Sequence, residues 1–148
     1  MLRRARPEDA DAVAEILTAA RAAQAWFPRL HTPEEDAAFV RERLLPDYEV
    51  WVAEDDGSVV GFAAVQGDVL GHLFVHPDAQ GRGVGTRLLD KAKELRPDGF
   101  DLWTHQVSEA RAFYDRRGLV VVELTDGSTT MEKLPDVRYR WRPESRAR

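Results

Sequence analysis

The chain has no cysteine among its 148 residues. Disulfides, thiolate nucleophiles and cysteine-bound zinc are therefore excluded together. Long hydrophobic runs are also missing: nothing approaches the roughly 18 apolar residues of a membrane helix, and the N-terminal MLRRARPEDADAV has basic residues with no apolar segment behind them. A cytoplasmic protein with no membrane partner is expected. The four histidines contain no helix-borne H-x-x-x-H pair, so no metal is expected. Net charge is −5, although the C-terminal RYRWRPESRAR is strongly basic. The acidic remainder argues against nucleic acid as a partner, and the tail reads as a solvated end. Repeats, low-complexity tracts and Gly/Ser/Pro-rich linkers are absent, so residues 1–148 read as one domain, a monomer or a homodimer.

What is present is a regular alternation of elements. Met1 to Arg6 reads as a short strand, and PEDADAVAEILTAA follows with Ala10, Val13, Leu17 and Ala20 at helical spacing. Thr32 and Pro33 open a second helix in TPEEDAAFVRERLL, expected to end at Pro46. YEVWVAED and SVVGFAAVQ flank Asp56-Gly57, a tight-hairpin dipeptide, and Gly67-Asp68 turns the chain into VLGHLFV. A helix from about Gly83 to Arg96 should present Val84, Leu88, Ala92 and Leu95 on one face. FDLWT reads as a strand, Ser108 as the cap of EARAFYDRRG, and LVVVEL plus either TTMEKL or VRYRW as the closing strands.

Between the third of these strands and the helix stands HPDAQGRGVGTRLL, with Gly81, Gly83 and Gly85 at every second position. It satisfies neither the dinucleotide fingerprint G-x-G-x-x-G nor the Walker pattern G-x-x-x-x-G-K-[ST], and the preceding topology is not βαβ. Two readings remain: a turn that needs glycine for its own sake, or a pyrophosphate cradle of another kind, built from turn and helix N–H groups. Gln80-Gly81-Arg82-Gly83-Val84-Gly85 resembles the acetyl-CoA signature [RQ]-x-x-G-x-[GA] of the GCN5-related N-acetyltransferases, with the customary lead-in Val75 to Asp78. Downstream, ARAFYDRRGL resembles the second motif of that family, A-x-x-[FL]-Y-x-x-x-G-[FL]. The resemblance covers almost the whole chain.

The resemblance implies an α+β acyl-CoA N-acyltransferase fold: a central mixed, largely antiparallel sheet with one splayed parallel strand pair, flanked by about four helices. It implies acetyl-CoA as co-substrate. Pantetheine would bond the backbone of Leu73, Phe74 and Val75, and the pyrophosphate would rest on Gln80, Gly81, Arg82, Gly83, Val84, Gly85 and Thr86, with Arg87 nearby. The implied activity is direct acetyl transfer to a primary amine of a small molecule or peptide. The alternative is a non-catalytic acyl-CoA-binding module of the same fold.

Such a transfer needs the amine deprotonated, the carbonyl oxygen polarised and the leaving thiolate protonated or stabilised. Tyr114 matches a family tyrosine beside the CoA sulfur and is the candidate acid. A backbone N–H at the bulged end of the Leu73 to Val75 strand would serve the oxygen. For the base, relatives that use a carboxylate often place it where Gly71 stands here. His105 is preferred, His72 would serve only if a bulge turned it inward, and relay through Glu54 stays open. The family asparagine before the second motif is replaced by Val107, leaving Ser108 as a cap and a possible CoA contact. Trp26, Phe27, Leu30 and His31 could line the acceptor pocket, with Glu34, Glu35 and Asp36 attracting a cationic amine or simply complementing a helix dipole.

Overall fold

The structure is a computed structural model and describes residues 1–28 and 30–143, so the end of the basic tail lies outside it. The chain forms two compact units, Met1–Ala92 and Lys93–Arg148.

In the first unit, β1 (Leu2–Arg4), β2 (Glu49–Asp55), β3 (Ser58–Gln66) and β4 (Val69–Val75) form a sequential antiparallel sheet. The hairpin expected at Asp56-Gly57 joins β2 to β3, both residues at positive φ. One face carries α1 (Ala10–Ala22) and α2 (Pro33–Phe39). Ala10, Val13, Leu17 and Ala20 are buried, as their helical spacing requires, and α1 shares a core with Val50, Val52, Phe62 and Ala64 of the sheet. The opposite face carries α4 (Val84–Leu95), whose Val84 and Leu88 pack within van der Waals reach of the space above Gly61.

The second helix departs from expectation at Pro46. Beyond Phe39 the chain makes a wide turn, Val40–Leu44, closed by the Leu45 N–H on Val40 O, and continues into α3 (Leu45–Asp47). Proline lacks the N–H that a helix interior uses, but near the start of a new helical turn that N–H has no partner to lose. The helical run therefore passes through Pro46 instead of ending there.

The second unit pairs β5 (Phe100–His105) with β7 (Asp136–Trp141), and β7 with β6 (Val120–Leu124), all antiparallel. Of the two closing strands considered, VRYRW is the one formed; TTMEKL lies in the loop before it. Its arginines decide part of the pairing: Arg138 and Arg140 both reach Asp101 of β5, at 2.6 and 2.8 Å. Helix α5 (Ala110–Arg116) buries Tyr114 against Tyr139, ring centroids 5.6 Å apart. Among the described residues no helix is long and apolar enough to cross a membrane.

Candidate functional site

The glycine turn is built as its spacing suggested, with one change. Gly81 and Gly83 have φ of 82° and 79°, a left-handed conformation that side chains resist. Gly85 lies inside α4 as its second residue. A Cβ added at Gly81 or Gly83 would meet nothing within 4 Å. The turn therefore borders open space, and the helix that follows presents its first N–H groups toward it. The Arg87 N–H closes back on Gly83 O at 3.1 Å. A cradle with glycine lining and helix N–H donors fits a pyrophosphate, because no β-carbon holds the anion away. Arg82 is turned elsewhere: its guanidinium meets Asp55 at 3.3 Å and Asp78 O at 3.3 Å. Its availability as a phosphate partner is correspondingly reduced.

Strand β4 carries Leu73, Phe74 and Val75 opposite Ala63, Phe62 and Gly61 of β3. The irregularity in this pairing lies earlier than the residues expected to hold pantetheine: His72 pairs with Ala64 and Leu70 with Val65, leaving Gly71 as the extra residue. The pairing from His72 to Phe74 is regular, so strand alternation sets His72 on the same side as Phe74 and the α1–α2 layer. Its ring packs 5.5 Å from Tyr48 and 5.8 Å from Phe39. Burial, helped by the charge of Arg21, holds its pKa down at about 4. His72 is thus neutral at pH 7 but a poor proton acceptor.

Glu54 is also committed. Its carboxylate pairs with the Arg3 guanidinium, which in turn makes a two-pronged contact with Asp9 at 2.8 and 2.9 Å. This arrangement ties β1 to β2 and to the start of α1.

Phe27, Leu30 and His31 come together around a cavity of about 120 Å³, whose polar lining is Thr18, Arg21 and Asp36. Trp26 stands outside it and packs edge-on against Phe27, 5.7 Å between centroids. The acids of α2 have different duties. Glu35 completes a capping box with Thr32, at 2.8 and 3.1 Å. Asp36 is buried, 5% exposed, accepting from Thr18 Oγ1 at 2.6 Å and facing Arg21 at 3.5 Å. Sequence reading did not single out Arg21; it stands one turn beyond Leu17 on the polar flank of α1, and no local pattern marks it.

In the second unit Tyr114 is 6% exposed, between Phe113 and Tyr139. Burial pushes its phenol well above the ordinary range, with the neighbouring Tyr139 adding to the effect, so the group stays protonated at physiological pH. The same shift makes it a weaker acid than an ordinary tyrosine, just as burial makes His72 a weaker base. Ser108 accepts the Ala110 N–H at 3.1 Å, the capping role expected of it, and its hydroxyl proton can still be donated. His105 closes β5 directly opposite Asp136 of β7, Nδ1 lying 3.1 Å from the Asp136 carboxylate. Asp136 was missed in the sequence because a carboxylate 31 positions along is signalled only by the strand register.

Residues 46–120 match the family model described as the acetyltransferase (GNAT) domain. A peptidyl-lysine N-acetyltransferase, YjaB, from Salmonella typhimurium is 35% identical over 79 residues, 53% of this chain and 54% of that protein. An L-amino acid N-acyltransferase, MnaT, from Escherichia coli is 34% identical over 109 residues, 63% of each. The chain thus spans little more than half the length of these relatives. A GCN5-related N-acetyltransferase from Rhodopseudomonas palustris superposes with TM-score 0.81 and 27% identity, covering 97% of this chain and 95% of that one. The α+β acyl-CoA N-acyltransferase fold expected from the two motifs is the fold found, and the chain belongs to the GCN5-related N-acetyltransferase family.

Proposed function

We propose that the protein is an acetyl-CoA-dependent N-acetyltransferase that passes the acetyl group directly to a primary amine. The observation that carries this reading is the left-handed Gly81–Gly83 turn bordering open space at the start of α4. Bound acetyl-CoA supplies an acyl thioester, already activated for attack by an amine. Gln80 to Thr86 hold its pyrophosphate through backbone N–H groups, and the backbone of Leu73 to Val75 receives the pantetheine arm.

His105 takes the proton from the acceptor ammonium, in preference to His72, whose low pKa makes it a weak base. Tyr114 gives a proton to the departing thiolate, a role supported by its place in the second motif. The acceptor's side groups enter the cavity bounded by Phe27, Leu30 and His31, with Trp26 bracing Phe27. Arg21 and Asp36 there make the pocket polar and of mixed charge, which favours a lysine-bearing peptide or an amino acid over an apolar amine. The named acceptors of YjaB and MnaT agree with that choice.

The test is steady-state release of CoA thiol from acetyl-CoA with a panel of lysine peptides, free amino acids, polyamines and apolar amines. Turnover with a peptide or amino acid is expected. Cofactor binding without turnover on any amine would instead establish the non-catalytic binding module, and neither binding nor turnover would sink both readings.

A further inference from the structure

The Asp136 carboxylate is placed with more care than a solvated strand residue needs. Its main chain bonds Thr125 twice, N–H to O at 3.2 Å and O from N–H at 3.0 Å. Gln106 Nε2 donates to Asp136 O at 2.9 Å and to Thr125 O at 3.0 Å, while the Gln106 N–H donates to Pro135 O at 2.9 Å. The side chain therefore leaves a backbone held on both sides and meets His105 across the ladder. His105 Nδ1 is shut away from solvent, with Asp136 Oδ1 at 3.1 Å. The other ring nitrogen, Nε2, faces Glu132 of the β6–β7 loop at 4.0 Å. The loop is pinned in turn by Thr130 Oγ1 to Gly127 O at 3.0 Å and Lys133 Nζ to Ser128 O at 2.9 Å.

A buried imidazole lone pair pointing at a carboxylate is repelled, whereas an N–H there is stabilised. We infer that Asp136 is a positioning residue that holds the His105 proton on Nδ1, so that Nε2 carries the lone pair and is the working nitrogen. The inference rests on the reading of His105 as the base, and it states which atom acts. The proton taken from the acceptor ammonium goes to Nε2, forming an imidazolium stabilised by Asp136 at one nitrogen and Glu132 near the other. A further charge in the second unit is Arg111 of α5, bonded to Tyr139 Oη at 3.1 Å and to Gln106 O at 3.5 Å. Burial, with the Glu132 charge adding, raises the Asp136 carboxyl above its ordinary value, while His105 opposes the rise.

Long-range ¹H–¹⁵N spectra of the whole protein read the tautomer without any turnover. Neutral wild-type His105 is expected with Nδ1 protonated, the form disfavoured in free histidine. Finding Nε2 protonated overturns the inference. Asp136→Asn, checked for folding by circular dichroism, can present its amide N–H to Nδ1 and force the other tautomer. Its kcat/KM is expected to fall about 10²-fold, within the range supplied by one positioned base, and its acidic limb to move to lower pH. Glu132→Gln removes a charge without touching Nδ1, so only the limb should move. If Asp136→Asn behaves like Glu132→Gln, the charge alone matters and positioning is refuted. His105→Gln separates the two levels: retained turnover in that variant overturns the base assignment, while the wild-type tautomer still decides the role of Asp136.

Discussion

Tyr48 fills the space that a side chain at Gly71 would need: a Cβ built there stands 2.8 Å from Tyr48 Cε2. The position where relatives often carry a catalytic carboxylate is thus closed by an aromatic ring from the residue just before β2, and glycine is what the approach permits. Gly71→Ala is expected to cost about 1–3 kcal/mol, as overpacking commonly does. In a Tyr48→Ala background the same change should cost much less. Thermal melts of the double-mutant cycle give the coupling, and additivity of the two changes would show that the ring and the glycine do not constrain each other.

Gly83→Val should abolish the rise in melting temperature that acetyl-CoA gives the wild type. The left-handed φ of 79° disfavours any side chain, and the open space beside the turn is where the phosphate path is proposed. A ligand that binds only the folded state raises the melting temperature by mass action. A folded Gly83→Val protein that still responds to millimolar acetyl-CoA would return the turn to a purely conformational role.

Tyr114→Phe keeps the ring between Phe113 and Tyr139 and removes only the hydroxyl. Its kcat under saturating acetyl-CoA is expected to fall about 10²- to 10⁴-fold with little loss of stability. Tyr114→Ala should in addition cost about 3–5 kcal/mol through the cavity it leaves. The kinetic comparison requires product release to be fast; a Phe variant within about threefold of wild type excludes the hydroxyl from the chemistry.

His72 makes the fold sensitive to acid. Its pKa is about 4 in the folded chain against an ordinary 6.5, so between these values the unfolded state binds more protons and stability rises with pH. The contribution is complete above about pH 6.5 and is lost as pH falls toward 4. Each tenfold difference in proton affinity between the two states corresponds to roughly 1.4 kcal/mol, so the loss is about 3 kcal/mol at most. Chemical denaturation of wild type and His72→Phe at pH 7 and pH 4.5 checks this. The variant should lose distinctly less stability on acidification, and equal losses would assign the acid sensitivity to other groups.

Much of the protein was legible one segment at a time. The Asp56-Gly57 hairpin, the buried stripe of α1, the Thr32–Glu35 capping box, the Ser108 cap and the glycine turn each follow from neighbours within a few positions, because dihedral preference and helical period act locally. Both family motifs are local in the same sense. Tertiary structure decided the rest, since proximity across a sheet depends on register, which no single strand encodes. It set Tyr48 against Gly71, committed Glu54 to Arg3, and enclosed His72 among aromatic rings. It also carried the chain through Pro46, chose VRYRW as the closing strand through the reach of two arginines to Asp101, and brought Asp136 opposite His105.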